Sequence, residues 1–363
     1  MELKVAIVGC GKIADGHVEE IQKIGTARLV AVCDRELLMA EQLAVRYHIR
    51  SHYDDFEQML DVERPDVVHI TTPPESHLAL AMTALNAGCH IFVEKPLATN
   101  HEDAQKLVGA VEASDKKLTI GYTYRFDPPA LAVREMIRKG FLGDIVHVES
   151  YYGYDLAGAY GKSLLGSPTH WVHCLPGKLF QNNIDHMLEK IVEYLPDDFP
   201  TVRALGYRRE HASYGDIRDD LLDELRVMIL GKATSAYATF CSHARPVGQF
   251  ARIYGSKNTA HIDYVSRTVT FDSSPKFPSA LGRVFPPFAQ SWQLFREGSR
   301  NVLRFAKSEF HFFSGLNRLI VLFYESIIRD VQPPVPYRDI LRVSRMTDEI
   351  IGQVFEPGSV QRK

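Results

Sequence analysis

The sequence lacks the features that would place it outside the cell, in a membrane or on a nucleic acid. Its 363 residues include only five cysteines, an odd number without a CxxC pair, and no His/Cys cluster has the spacing of zinc ligands. The formal net charge is -3, so nothing overall attracts a polyanion. No apolar run reaches the length of a membrane span, and the start, MELKVAIVG, resembles a strand more than a signal peptide. We expect a cytoplasmic protein with free thiols, no bound metal and no nucleic-acid partner.

The first part of the chain alternates strand-forming and helix-forming segments, which predicts a parallel, doubly wound α/β sheet. Ligands bind beyond the carboxyl ends of the strands in such a sheet. The strand patterns cover Lys4–Val8, Arg28–Cys33, Val67–Thr71, His90–Val93 and Leu118–Gly121.

A glycine-rich loop follows the first of these strands. The segment GCGKIA at 9–14 is a G-x-G-x-x-A fingerprint between a strand and a helix, where Gly9 permits the tight turn and Gly11 leaves room for a pyrophosphate. Asp34 ends the second strand; its carboxylate can accept ribose hydroxyls and would repel a 2′-phosphate, although it could instead cap a helix. Arg35 could meet a 2′-phosphate. The pattern favours NAD over NADP, bound by Gly9, Gly11, Lys12, Ile13, Asp34 and Arg35.

Two further loops lie at strand ends of the same sheet. The segments TTPPESH at 71–77 and EKP at 94–96 both follow strands. Lysine is most often a solvated surface residue, but a lysine at this edge can lie over a cofactor. We therefore expect a cofactor contact from Thr71, Thr72, Pro73, His77, Glu94 and Lys95.

With these residues in place, the chain resembles the Gfo/Idh/MocA family, the group of glucose–fructose oxidoreductase and inositol dehydrogenase. The resemblance implies an NAD-dependent dehydrogenase that acts on a CH–OH group of a sugar or sugar nucleotide. The matching segments span nearly the whole chain: GCGKIADGH (9–17), TTPPESH (71–77), EKPLA (94–98), GYTYRFDPPA (121–130), ARIYGSKNTAHID (251–263) and FYESIIRDVQPPVPYRD (323–339).

The resemblance also implies the domain organisation. A dinucleotide-binding Rossmann domain would cover residues 1–122. An α+β domain with an open, mainly antiparallel sheet would cover 123–363, bind the substrate and form a homodimer or homotetramer. Strand patterns without a helix after each agree with such a sheet. They lie at Val146–Tyr152, Val202–Tyr207, Asp223–Ile229, Ser235–Ser242, Phe250–Tyr254 and Ala260–Asp263.

The family's catalytic helix carries a G-G-x-x-x-D/N-x-G-x-H pattern, which residues 177–186 resemble. His186 takes the histidine place and Asn182 the Asp/Asn place four residues earlier, so both can share one helix face. Lys178 and Ile184 stand where the family has glycines. Asn182 also cannot supply the charge that would raise the basicity of His186.

Oxidation of a secondary alcohol removes a hydride and a proton. The nicotinamide takes the hydride and a base that titrates near neutrality must take the proton. We expect His186 to be this acid/base, Lys95 to donate to the reacting oxygen and the cofactor ribose, and Asn182 to position the hydroxyl. The roles of Lys95 and His186 could be exchanged, or His186 could be an ordinary helix histidine. The family also implies a cis peptide before Pro96.

The residues expected to line the substrate pocket come from three places. Tyr122 and Arg125 follow the last strand of the first domain, although they could merely link the domains. The stretch 151–178 is rich in glycine and aromatic residues and predicts a pocket loop, with a purely structural loop as the alternative. The expected substrate-binding residues are Tyr122, Arg125, Lys162, Trp171, Lys178 and Asn182.

The segment 275–315 resembles an insertion relative to shorter family members. It is basic and rich in large apolar side chains, including Trp292 and Phe295. Such a helix could lie on an anionic membrane, but we expect a protein contact, within the chain or in an oligomer.

Two rival functions remain open at this stage. One is redox-neutral chemistry, in which tightly held NAD is reduced and reoxidised within one turnover of a sugar-processing enzyme. The other is a non-catalytic dinucleotide-binding regulator, because a fold does not fix a function.

Overall fold

The computed structural model describes residues 2–167, 169–209, 221–273, 281–307, 310 and 313–355. The chain forms two compact units, and each consists of two stretches of sequence. The first unit contains Met1–Thr123 and Gly315–Arg345, and the second contains Tyr124–Ser314 and Met346–Lys363. The return of residues 315–345 to the first unit differs from a simple division of the chain near residue 122.

In the described part of the chain the strands are β1 (Leu3–Val8), β2 (Ala27–Cys33), β3 (Ser51–Tyr53), β4 (Val67–Ile70), β5 (His90–Val93), β6 (Leu118–Ile120), β7 (Ile145–Gly153), β8 (Thr201–Tyr207), β9 (Glu224–Leu230), β10 (Ser235–Cys241), β11 (Gln249–Gly255), β12 (Asn258–Asp263) and β13 (Thr268–Ser273).

The α-helices of the same residues are α1 (Lys12–Gln22), α2 (Leu37–Tyr47), α3 (Phe56–Glu63), α4 (His77–Asn86), α5 (His101–Glu112), α6 (Pro128–Arg138), α7 (Ala159–Gly166), α8 (Lys178–Leu188), α9 (Leu281–Ala306), α10 (Ser314–Ile328) and α11 (Tyr337–Phe355).

The first unit is built on a six-stranded sheet in the order β3-β2-β1-β4-β5-β6, in which every pair is parallel. The central strands have no polar face because helices cover both sides of the sheet. Ile7, Val68 and Ile91 are accordingly fully buried. The doubly wound sheet expected from the sequence is confirmed. All five predicted strands are present; the short, half-exposed β3 was not predicted.

The second unit is built on a seven-stranded sheet in the order β13-β12-β11-β7-β10-β9-β8. Its pairs are antiparallel except β7 with β10, so the mainly antiparallel sheet is confirmed. The six predicted strands are present to within two residues at either end, and β13 was not predicted.

The two faces of this second sheet differ. Ala236, Ala238 and Phe240 point to the covered face and are fully buried, and the Phe240 ring lies 5.7 Å from that of Phe180 on α8. Tyr237, which alternates with them, is 49% exposed. The alternation of buried and exposed positions along β10 is that of a sheet covered on one side.

The helices of the described residues include none that combines the length and the apolar character needed to cross a bilayer.

Candidate active site

The glycine loop of the first unit has the geometry of a phosphate-binding turn. Gly9 has φ 96°, and a Cβ there would lie 2.7 Å from the Thr72 backbone nitrogen, so only glycine fits. Gly11 is the N-cap of α1, and a Cβ at this position would meet no described atom within 4 Å. The start of α1 is therefore open to a ligand, and a helix N-terminus favours an anion.

Asp34 joins the end of β2 to the glycine loop. Its Oδ2 accepts a hydrogen bond from the Cys10 backbone nitrogen at 2.7 Å, and its Oδ1 accepts one from the Glu36 nitrogen at 3.0 Å. The second bond lies just before α2, in keeping with the capping alternative. A carboxylate oxygen can accept more than one bond, so Asp34 keeps the capacity to accept ribose hydroxyls. Arg35 is exposed beside it.

The loops after β4 and β5 are tied to one another and to the glycine loop. The Thr71 hydroxyl donates to the Gly9 carbonyl at 2.6 Å. The ring of His77, which is fully buried, lies between two carbonyls, with Nε2 2.8 Å from Thr72 O and Nδ1 2.9 Å from Pro96 O. Burial lowers the pKa of His77, and these carbonyls oppose the shift. His77 thus fixes the position of both loops.

The Lys95–Pro96 peptide is cis, as the family resemblance implied. Lys95 is half-buried directly after β5, and Thr72 and Pro73 are half-buried after β4. The cofactor residues expected from the sequence therefore converge on one edge of the first sheet. Their contact with a cofactor stays a prediction.

A chain of four buried polar side chains runs from this edge into the first unit. Glu94 Oε1 lies 3.0 Å from His17 Nε2, and His17 Nδ1 lies 2.8 Å from His69 Nδ1. His69 Nε2 in turn lies 2.8 Å from the hydroxyl of Tyr324 on α10. Each of the four side chains is at most 8% exposed.

Every ring nitrogen of this chain has a partner. Both nitrogens of His17 and both of His69 lie within hydrogen-bond distance of another group of the chain, and the tautomers decide which of them donate. Burial, with His17 nearby, lowers the pKa of His69, and burial raises that of Tyr324. Burial alone would raise the pKa of Glu94, but the hydrogen bond from His17 and the charge of Lys95 leave it lowered. The chain therefore orients the carboxylate that precedes Lys95.

In the second unit, α8 carries both residues of the expected catalytic helix. Asn182 is buried at 7% exposure, and the side chain of His186 is 16% exposed. His186 Nδ1 lies 3.2 Å from Oε1 of Glu189, which is fully buried. A carboxylate at Nδ1 favours the tautomer that carries its proton on Nδ1. Glu189 thus supplies the charge that Asn182 lacks, three residues after the histidine.

Aromatic rings enclose His186 and a buried lysine. His186 stacks on Tyr152 at 5.1 Å and meets Tyr124 edge-on at 5.3 Å. Lys190 Nζ lies 4.2 Å from the Tyr124 ring centroid, 5.1 Å from that of Tyr152 and 4.9 Å from that of Tyr264. Lys190 is 2% exposed, and no described residue accepts a hydrogen bond from its Nζ. Burial lowers the pKa of Lys190 to about 7, despite the opposing charges of Glu189 and Asp127.

The other expected substrate residues have varied surroundings. Tyr122 is buried in the first unit at 1% exposure. In the second unit, Arg125 is buried with Nη2 3.7 Å from Glu193, Lys162 is exposed on α7, and Trp171 is half-buried against His170. None of these contacts assigns a substrate.

Lys178, also expected at the substrate, begins α8 with φ 46°, in the left-handed region that favours glycine. This explains physically why the family pattern has glycine at this place.

Sequence reasoning missed the residues that support the expected ones. His17, His69 and Tyr324 each lie inside a helix or a strand, where nothing in the pattern marks a partner. Glu189 was detectable in principle, because a carboxylate three residues after a helical histidine lies on the same face.

The chain was compared with known protein families and proteins. Residues 3–122 match the model of the Gfo/Idh/MocA family, described as an oxidoreductase family with an NAD-binding Rossmann fold. The N-terminal domain belongs to this family. Among curated proteins, the chain is similar to D-glucoside 3-dehydrogenase of Escherichia coli K12, with 37% identity over 144 residues. That match covers 39% of this chain and 41% of the relative, less than half of either.

The matches that cover more of the chain have lower sequence identity. Glycosyl hydrolase family 109 protein 1 of Shewanella sp. ANA-3 is 26% identical over 299 residues, which cover 78% of this chain and 60% of that protein. The solved structure of UDP-N-acetylglucosamine 3-dehydrogenase from Acidithiobacillus ferrooxidans superposes with a TM-score of 0.71 at 18% identity, over 98% of both chains. At this identity the superposition shows a shared fold.

Proposed function

We propose that the protein is an NAD-dependent oxidoreductase that transfers a hydride between nicotinamide and a secondary alcohol of a sugar or sugar nucleotide. The observation that carries this proposal is the pairing of His186 with buried Glu189 on the helix that matches the family's catalytic pattern. A regulator without catalysis would have no need to keep a carboxylate–histidine pair in a chain whose first domain is of an NAD-binding family.

The residues of the first unit fit a dinucleotide. Gly9 leaves no room for a Cβ, the start of α1 is open at Gly11, and Asp34 lies beside the loop with acceptor capacity left. These residues, with Lys12, Ile13 and the loops after β4 and β5, would hold NAD. When bound, NAD supplies the acceptor for the hydride at its nicotinamide ring.

The remaining chemistry falls to side chains of this protein. His186 accepts the alcohol proton, and Glu189 stabilises the imidazolium that results. Asn182, on the same face of α8, positions the hydroxyl, and Lys95 donates to the reacting oxygen. An exchange of the roles of Lys95 and His186 remains the alternative within this mechanism.

The cofactor preference follows from charge. The Asp34 carboxylate would repel a 2′-phosphate, so we expect NAD to bind more tightly than NADP. Calorimetric titration of both cofactors tests this; tighter binding of NADP would show that Arg35 dominates.

The assembly and the compartment are further parts of the proposal. The exposed face of the second sheet, with Leu205, Leu230 and Tyr237 each more than 40% exposed, supports a homodimer or homotetramer. The five cysteines of the chain are free, and four of them are buried, in keeping with a reducing cytoplasm.

The decisive experiment is a screen of the purified protein. Free sugars, glucosides, inositols and UDP-sugars are incubated with NAD, and the absorbance of reduced nicotinamide is followed. Turnover that disappears in His186→Ala while NAD binding persists supports the proposal. NAD binding without reduction or transformation of any compound would favour the regulator.

One observation supports a second candidate, redox-neutral sugar processing. The similarity to a glycosyl hydrolase family 109 protein covers 78% of this chain. In that case a glycoside would be cleaved with a catalytic amount of NAD and without accumulation of its reduced form. Chromatography of the same reaction mixtures distinguishes the two functions.

A further inference from the structure

Helix α9 contacts its own protein through its polar face. The amide of Gln293 pairs with the edge strand β13, since Oε1 accepts from the Phe271 nitrogen at 2.8 Å and Nε2 donates to the Phe271 carbonyl at 2.9 Å. Asn301 donates to the Ser266 carbonyl at 2.8 Å. Glu297 is 3% exposed and pairs with Arg300. The side of α9 that faces the sheet is therefore the hydrophilic one.

The opposite side of α9 is an apolar stripe in contact with solvent. At 100° per residue its members lie within an arc of about 100°, the width of the face that a surface helix normally buries. Their exposure ranges from 50% for Phe285 to 70% for Phe288. The stripe consists of Val284, Phe285, Phe288, Trp292, Phe295, Val302 and Leu303.

This orientation is the reverse of an ordinary amphipathic helix. Single exposed apolar residues need no explanation, but a contiguous stripe of aromatic and aliphatic side chains marks a surface that binds something. Because the polar face of α9 is already bonded to β13, a small rotation of the helix would not bury the stripe.

The charges beside the stripe identify the partner. Glu297 is the only acidic residue of α9, and it is buried and paired with Arg300. Arg296 and Arg300 are exposed and lie next to the stripe around the helix axis. Two copies of the helix packed stripe to stripe would bring arginines together without exposed carboxylates from α9 to neutralise them. Anionic lipid headgroups neutralise arginines, and the acyl region accepts phenylalanine and tryptophan side chains.

We propose that α9 binds the surface of an anionic lipid bilayer, with the apolar stripe at the headgroup–acyl boundary and the arginines on the headgroups. The polar face of α9 makes the contact within the chain that was expected for the segment 275–315. The proposal differs from that expectation for the apolar stripe alone. Of the segment 275–315, residues 275–280, 308–309 and 311–312 lie outside the described residues. The proposal is independent of the catalytic one.

Vesicle flotation tests the stripe. Full-length protein is mixed with vesicles of phosphatidylcholine alone or with added phosphatidylglycerol. We expect binding to the anionic vesicles only, and a loss of at least about tenfold in affinity for Phe288→Ser with Trp292→Ser. Phe199→Ser is the matched control, because Phe199 is 81% exposed but lies outside α9. No binding of the unaltered protein, or an equal loss in the control, would overturn the proposal.

Further variants test the arginine contribution to lipid binding and the alternative that the stripe contacts another protein subunit. Arg296→Gln should weaken binding severalfold and reduce its dependence on salt. Light scattering of the Phe288→Ser, Trp292→Ser variant is the counter-test. If the variant loses subunits while vesicle binding is unchanged, the stripe contacts protein, and the lipid proposal is wrong.

Tryptophan fluorescence gives a direct readout. The chain has two tryptophans, so Trp171→Phe leaves Trp292 as the sole one. Its emission should shift to the blue with anionic vesicles and be quenched by brominated acyl chains. Emission that does not change at saturating lipid would contradict insertion of the stripe.

Discussion

At the scale of single residues, Glu189 contacts the proposed base directly. It is fully buried and lies 3.2 Å from His186 Nδ1. Removing its charge should weaken the base without touching the cofactor domain. We expect Glu189→Gln to lower kcat by about 10²-fold with little change in KM or in the Kd of NAD.

The conservative variant provides the control. Glu189→Asp should recover part of the lost kcat, since it restores a carboxylate near the ring. If Glu189→Gln and Glu189→Asp are equally impaired and equally unstable to heat, Glu189 is only a packing residue.

Two opposing effects act on the pKa of Lys190. Three tyrosine rings stabilise its cation, but burial dominates and lowers its pKa to about 7. A folded-state pKa below the unfolded value of about 10.4 means that the unfolded chain takes up the proton first. Stability should therefore fall as the pH drops from about 10 to about 7.

Lys190→Met removes the free-energy cost of burying an ionisable amine. We expect it to stabilise the protein by about 1–4 kcal/mol at neutral pH and to flatten this part of the pH profile, measured by urea unfolding. Lys232 is exposed, so Lys232→Met is the matched control and should change neither the stability at neutral pH nor the pH profile. A destabilised Lys190→Met with unchanged pH dependence would show that the tyrosine contacts dominate.

At the scale of elements, the start of α8 holds a non-glycine residue in the left-handed region. Lys178 has φ 46°, which costs about 1 kcal/mol that glycine would not incur. Lys178→Gly should raise the free energy of unfolding by about that amount. Lys178→Ala keeps the Cβ and should give no gain, so equal effects of the two changes in thermal unfolding would refute the backbone argument.

The buried chain from β4 to α1 makes the first unit sensitive to acid. Burial lowers the pKa of His69, and its neighbours lower that of Glu94. Since both groups bind protons more readily when unfolded, stability is fully present above about pH 6.5 and decreases as the pH falls. His69→Phe should remove part of that slope in acid titrations followed by circular dichroism. Exposed His52→Phe should leave it unchanged.

Elements with strong apolar patterns could be predicted from the sequence, and short or long-range features could not. β5 was predicted at its observed bounds because four strand-forming residues lie between clear breaks. β3 has three residues, none of them fully buried, and leaves no pattern. The bond from His69 to Tyr324 joins residues 255 positions apart. Periodicity reports the burial of a segment, whereas the partner of a buried polar group is set by tertiary packing.

At the scale of the whole molecule, the first unit depends on residues far along the chain. Phe323 and Tyr324 of α10 are buried in it, and the Phe323 ring lies 6.2 Å from that of Phe92 on β5. A fragment that ends at Thr123 would expose this part of the core. We expect such a fragment to lack cooperative unfolding and NAD affinity. A sharp unfolding transition of the isolated fragment would contradict the assignment of α10 to this unit.

The return of residues 315–345 to the first unit also has a consequence for biosynthesis. The ribosome releases the glycine loop and the six strands of the first sheet early, but α10 emerges only after the second sheet has been made. The surface that α10 covers therefore stays exposed in the nascent first unit while about two hundred further residues are translated. At bacterial-type rates this takes on the order of ten to forty seconds. During that interval it is a natural client for a chaperone that shields apolar surface.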